Sequence, residues 1–174
     1  MTMTKLGKLA ACLMLAAVVC SAQDVVHFIH GTIKHVDRAT KTVVVKTADG
    51  TEHTVKFTGD TTVKGTKEGF DGLKEGTEVV ARTTGKGADE TAVDIGKVGK
   101  DGLKSTKGTV EKFDKGTKTV VVKTADGTEK TFELTGKAAE DAGKDTGKGI
   151  AKGAKVTVYY TDEGGKKVAH YVSQ

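Results

Sequence analysis

The chain has 174 residues, with 28 basic and 23 acidic side chains, no proline, no tryptophan and two cysteines. Both cysteines, Cys12 and Cys20, lie near the start, so the rest of the chain has no disulfide, no thiolate metal ligand and no cysteine nucleophile. Arg38 and Arg82 are the only arginines, which argues against the bidentate recognition of phosphate or guanine that arginine favours.

Residues 1–22 predict an export signal. Lys5 and Lys8 form a positive segment, the apolar run Leu9–Val19 is too short to span a bilayer comfortably, and Ser21 and Ala22 end it in small residues. We expect cleavage between Ala22 and Gln23. No later apolar run approaches membrane-spanning length, so the sequence predicts a periplasmic or secreted protein whose mature chain has no transmembrane segment.

A lipoprotein is the alternative for the same leader. It would require cleavage before Cys20, where the preceding residue is normally Gly, Ala or Ser, and here that residue is Val19. The residues therefore favour an ordinary signal peptide over a lipid anchor.

The segment from Thr40 to Glu52 predicts a β-hairpin. Val43 and Val45 share one face of the first strand, and the Asp49-Gly50 pair provides the positive φ that a tight turn requires. The returning strand places Val55 and the nearby Phe57 on one face, so the hairpin should be half-buried.

The same thirteen letters recur from Thr117 to Glu129, and a shift of 77 residues aligns the flanking segments without a gap. Gly31 aligns with Gly108, and Asp37 with Asp114. The sequence therefore predicts two tandem domains, residues 23–99 and 100–174, each small enough that docking between them would add stability.

Each repeat contains five strand-like segments, with a polar, glycine-containing link between the third and the fourth. In the first repeat they are Val25–Asp37, Lys41–Thr47, Thr51–Phe57, Thr77–Thr83 and Glu90–Ile95; in the second they are Leu103–Asp114, Lys118–Thr124, Thr128–Leu134, Ala154–Thr161 and Lys167–Val172. The link of the second repeat includes Ala138–Ala142, which could form a short helix.

Three strands, a helical or irregular link and two further strands are typical of an OB-type barrel, and closure of such a sheet removes its exposed edges. We therefore predict an all-β protein of two tandem five-stranded OB-like barrels. An SH3-like barrel is the alternative. We expect a bulge or bend near Gly31 and Gly108, which would let the long first strand serve both sides of its barrel.

The motifs of these repeats resemble the small β-barrel domains of uncharacterised exported bacterial proteins. The resemblance is carried by Gly-Thr-Ile-x-x-Val-Asp, a Lys-Thr-Val-Val-Val strand, an Asp-Gly turn and Leu-Lys-Glu-Gly-Thr-Glu-Val-Val, and it covers nearly all of residues 25–172. It implies a bacterial envelope or secreted location and a non-catalytic barrel, and it names no ligand.

Four histidines of the first repeat are candidate metal ligands: His27, His30, His35 and His53. Imidazole is a common ligand of zinc, copper and nickel. Their counterparts in the second repeat are Lys104, Lys107, Lys112 and Lys130, and positions that accept lysine are typically solvated. Surface histidines are thus the preferred interpretation, and a metal site in the first repeat is the alternative.

No known catalytic motif stands out in the sequence, and the acidic pairs Asp89-Glu90 and Asp162-Glu163 fall in predicted hairpin tips, where solvated turn residues are the commoner explanation. Nucleic-acid binding would need stacking aromatics beside a basic groove. The candidates for exposed rings are Tyr159, Tyr160 and Tyr171.

The sequence therefore predicts an exported, non-enzymatic binding or structural module of the bacterial envelope. We expect no cofactor, and neither the ligand nor the partner can be named from these residues. The alternatives are a periplasmic metal-binding protein that uses the histidines of the first repeat, and weak binding of a polyanion or nucleic acid.

Overall fold

The computed structural model describes residues 26–144 and 150–174. The predicted export signal, residues 1–22, lies outside the described residues. The strands of the first repeat are β1 His27–Asp37, β2 Thr42–Thr47, β3 Glu52–Lys56, β4 Thr62–Lys64, β5 Glu78–Thr84 and β6 Thr91–Lys97. Those of the second are β7 Lys104–Asp114, β8 Thr119–Lys123, β9 Glu129–Leu134, β10 Lys155–Glu163 and β11 Lys166–Ser173, with helix α1 Gly136–Lys144 between β9 and β10.

Each repeat closes into a small barrel. In the first, the sheet order is β3-β2-β1-β5-β6, and the pairing of Lys56 on β3 with Thr91 on β6 completes the circle. In the second, β10-β11-β9-β8-β7 form a closed barrel. The prediction of an all-β protein built from two tandem five-stranded OB-like barrels is confirmed.

The link between the third strand and the next long strand differs between the repeats. In the first repeat it contains β4, which pairs in parallel with β6 and which the sequence did not predict. In the second it contains α1, where Ala138, Ala139 and Ala142 are buried against the barrel. The three alanines lie on one face of the helix, so a short amphipathic segment can cover the barrel there.

The hairpin valines occupy two separate interiors, as predicted. Val43 and Val45 belong to the core of the first barrel and Val120 and Val122 to that of the second, and all four are fully buried. The two pairs also lie in different sheets. The duplicated sequence thus folds twice into the same unit.

The long first strand of each barrel serves two neighbours, and its glycine lies where the pairings overlap. Gly31 is opposite Thr47 on β2 and Val79 on β5. A Cβ atom at Gly31 would lie 2.3 Å from the carbonyl oxygen of Lys46, so only glycine fits. A bulge or sharp bend was predicted at this glycine, and the register shift lies just beyond it, between Ile33 and His35 in the first barrel and between Val110 and Lys112 in the second.

The turns of the hairpins form as the sequence predicted. Gly50 and Gly127 have φ values of 90° and 84°. At the end of β1, Asp37 Oδ1 accepts hydrogen bonds from the backbone N–H groups of Ala39 at 2.8 Å and Thr40 at 3.1 Å. These bonds, chiefly that from Thr40, lower the pKa of Asp37 because they favour its charged form.

Candidate functional site

The four candidate metal-binding histidines are spread over the surface of the first barrel. His30 Nε2 lies 2.7 Å from Glu78 Oε1, His35 Nδ1 lies 2.8 Å from Glu75 Oε1, and both pairs are exposed. His27 lies at the start of β1. His30 and His35 therefore contact different carboxylates, and among the described residues these three histidines do not form a group that could hold a metal ion.

His53 makes the most enclosed of these contacts. Its Nδ1 lies 3.0 Å from Glu90 Oε2, and the other oxygen of Glu90 accepts a hydrogen bond from Thr83 Oγ1 at 2.7 Å. Glu90 is 4% exposed, so the expectation that the Asp89-Glu90 pair is solvated was wrong for Glu90. Glu90 lies in the turn between β5 and β6, and its carboxylate is buried because it contacts His53 on β3 and Thr83 on β5.

No group of three or more His, Cys, Asp or Glu side chains that could hold a metal ion occurs in residues 26–144 and 150–174. The histidine–carboxylate contacts at His30 and His53 provide two potential ligands each. A protein metal site normally takes three or four protein ligands. The metal-binding assignment of His27, His30, His35 and His53 stays a prediction.

The three tyrosines proposed as exposed rings are all buried, which corrects that prediction. Tyr160 packs edge-to-face on Phe132 in the core of the second barrel, with ring centroids 5.0 Å apart. Tyr159 and Tyr171 point out of that barrel but are covered by the first one, in a cluster with Val80. None of these rings is available to stack on a base.

A buried arginine joins the two barrels. Arg82 on β5 is 2% exposed, and its Nη1 donates to both oxygens of Asp94, at 3.1 and 2.8 Å. From the second barrel it is met by the carboxylate of Asp141 and the backbone carbonyl of His170, to which it donates through Nε and Nη2. Its guanidinium carbon also lies 4.4 Å from the ring centroid of Tyr171.

Equivalent positions of the two repeats face each other across this interface. The 77-residue shift aligns Arg82 with Tyr159 and Asp94 with Tyr171 in the sequence. The first repeat therefore supplies a paired charge where the second supplies aromatic rings, and the ring of Tyr171 lies against the guanidinium. These contacts join the two barrels.

A groove occurs at the same place on both barrels. On the first barrel the groove has a volume of about 290 Å³. Seven residues line it: His30, Gly31, Thr32, Lys46, Thr47, Ala48 and Glu78. The 77-residue shift converts these into Lys107, Gly108, Thr109, Lys123, Thr124, Ala125 and Lys155, and all seven line a groove of about 600 Å³ on the second barrel. We call these the first groove and the second groove.

The groove follows from the strand register. On the second barrel, Thr109 on β7 is opposite Lys155 on β10 and Lys123 on β8, so the three side chains share the outer face of the barrel. The adjacent Gly108 faces the opposite side of β7, toward the buried side chain of Val122. A Cβ atom at Gly108 would lie 2.4 Å from the carbonyl oxygen of Lys123, so the strands can approach only because this residue is glycine.

The two grooves differ in charge. In the first, His30 and Glu78 form a contact with each other. In the second, the equivalent residues are Lys107 and Lys155, and no carboxylate of the described residues pairs with either of them or with Lys123. The second groove was not predicted from the sequence. The alignment of Glu78 with Lys155 could have indicated that the second barrel carries an additional positive charge at this position.

No helix in the described parts of the chain is long and apolar enough to cross a membrane.

No protein-family model matches the chain, and no curated protein matches it. Among solved structures, apo-CusF from Escherichia coli is 20% identical, with 45% of this chain and 93% of that chain covered and a TM-score of 0.35. CusF with Ag(I) from Escherichia coli is also 20% identical, with coverages of 42% and 92% and a TM-score of 0.34. Similarity at this level transfers neither a ligand nor an activity.

Proposed function

We propose that the protein is an exported, non-enzymatic binding module of the bacterial envelope, and that the repeated groove is its ligand-binding surface. The observation that carries the proposal is the recurrence of the groove at seven equivalent positions of two barrels. The export signal predicted at residues 1–22 supports the location.

The shape of the second groove fits a binding role. Its volume of about 600 Å³ lies within the range of small-molecule sites, roughly 300–1,000 Å³. It lies on paired strands of a closed barrel, so its backbone is fixed before a ligand arrives, and only side chains have to be ordered on binding. The buried charged residues Arg82 and Glu90 lie outside the groove and have protein partners that explain their burial.

Chemical-shift mapping tests this proposal. The ¹⁵N-labelled protein lacking residues 1–22 is titrated in turn with inorganic phosphate, citrate, maltose and tetra-alanine. We expect at least one probe to shift the amide signals of Gly108 and Thr109, or those of Gly31 and Thr32, more than the rest. A third depression lies on the first barrel and is lined by residues that include Phe57, Thr58 and Phe70. If every probe leaves the groove amides unchanged, or shifts those of this third depression instead, the groove is not the binding surface.

A further inference from the structure

We infer that the second groove binds an anion that carries two or more phosphate or carboxylate groups. The inference rests on the proposed function, because it names the ligand class for the same surface. It depends on three lysines, their position around one residue, and their lack of partners.

The lysines surround Thr109. Lys155 and Lys123 lie on the strands at either side of β7, which places their backbones about 10 Å apart, since adjacent strands are separated by about 4.8 Å. Lys107 lies two residues before Thr109 on β7, and its side chain therefore points to the same face. Three flexible ammonium groups can thus converge on a ligand above Thr109.

These three lysines have no carboxylate within ion-pair distance in the described parts of the chain, a state they share with most described lysines, and what sets them apart is their position around one groove. Lys104, by contrast, lies 2.5 Å from Asp162, and Lys166 lies 2.7 Å from Glu133. Like charges around a groove repel one another and raise the local positive potential. A bound anion would relieve that repulsion and gain charge-assisted hydrogen bonds.

Two acidic side chains, those of Glu111 and Glu129, lie near the groove, and Gln174 also lines it. Glu111 lines one end, but Lys152 lies 3.5 Å from its carboxylate. Glu129 is opposite Lys123 on β9 and is not among the lining residues. Thr157, which is opposite Lys107, adds a hydroxyl group that can donate to an anion.

The first groove provides a matched control within the same molecule. There Glu78 replaces Lys155 and contacts His30, so an anion would meet a carboxylate. The double variant Lys107→His/Lys155→Glu gives the second groove the side chains that the first barrel already carries. Because the first barrel folds with these residues, the variant should fold.

Isothermal titration calorimetry tests the inference, with inorganic tripolyphosphate as the phosphate probe and citrate as the carboxylate probe. We expect saturable one-site binding of at least one probe to the protein lacking residues 1–22. The affinity should fall about tenfold or more in the double variant and several-fold in Lys123→Ala, because hydrogen bonds to charged groups are lost. Lys115→Ala removes an exposed lysine of the same barrel that lines neither groove, and it should leave the affinity unchanged.

Binding of tripolyphosphate alone or of citrate alone would support the inference and identify the acidic group. The inference is overturned if neither probe binds, or if the double variant binds as tightly as the unaltered protein. Failure with both anions, together with groove shifts on addition of maltose, would reject the anionic ligand and leave the proposed function standing.

Discussion

Removal of the Arg82 side chain should destabilise the whole protein, because it leaves charge buried between the barrels. In Arg82→Ala, Asp94 loses a two-point hydrogen bond while only 1% exposed, and Asp141 loses its guanidinium partner. Removing one partner of a buried ion pair typically costs about 3–5 kcal/mol. Lys137, whose Nζ lies 3.8 Å from Asp94, is too exposed to replace the arginine.

Urea denaturation, followed by circular dichroism, measures this cost without the ionic screening that guanidinium chloride would add. Arg38→Ala is the matched control, since it removes the other arginine, whose contact with Asp71 is long and exposed at 3.8 Å. Its cost should be below about 1 kcal/mol. If Arg82→Ala unfolds the protein entirely, Arg82→Lys should retain the fold with an intermediate loss, because lysine keeps the charge but lacks the planar fork.

A double-mutant cycle separates the pair from the rest of the interface. Asp94→Ala combined with Arg82→Ala should cost less than the sum of the two single changes, because the second change removes the uncompensated charge. Equal costs for Arg82→Ala and Arg38→Ala, or strict additivity in the cycle, would refute the assignment of Arg82 and Asp94 as a stabilising buried ion pair.

Three further predictions concern single positions. Gly31→Ala should lower the free energy of unfolding by about 1–3 kcal/mol through the clash with the Lys46 carbonyl, whereas Gly59→Ala, with open space around it, should be nearly neutral in the same urea assay. Burial lowers the pKa of His170 below its ordinary 6.5, so the unfolded chain takes up a proton first as pH falls. The free energy of unfolding should therefore decline below pH 6.5. In His170→Val, which introduces the residue that the first repeat has at the equivalent position, the difference between the melting temperatures at pH 7 and pH 5 should be smaller. Burial, with a smaller effect of Glu78, raises the pKa of Tyr159 to about 12, so its phenolate absorbance should appear well above pH 10. Because the unfolded chain loses this proton first, the free energy of unfolding should fall as pH rises past 10.

The strand pattern was predictable because it is local. Alternating valines, the Asp-Gly turns and the exact repeat from Thr40 and Thr117 indicate strands and their number before any long-range contact is known. The strand β4 was missed because three residues in a polar link carry too little periodicity, and its pairing depends on β6 far along the chain.

The interface and the groove were not predictable by the same route. Tyr159 and Tyr171 alternate like outward-facing residues, and only the docking of the other barrel buries them. Arg82 resembled any surface arginine, since Asp141 and His170 are remote in sequence. Whether Lys155 has an ion-pair partner depends on the residue opposite it on β7. Only the strand register identifies that residue, which is Thr109.

The position of a bound anion tests the central claim most directly. A crystal structure of the protein lacking residues 1–22, grown with tripolyphosphate, should show phosphate density above Thr109, within hydrogen-bond distance of Lys107, Lys123 or Lys155. Density confined to other lysines, with the second groove holding only water, would contradict the account.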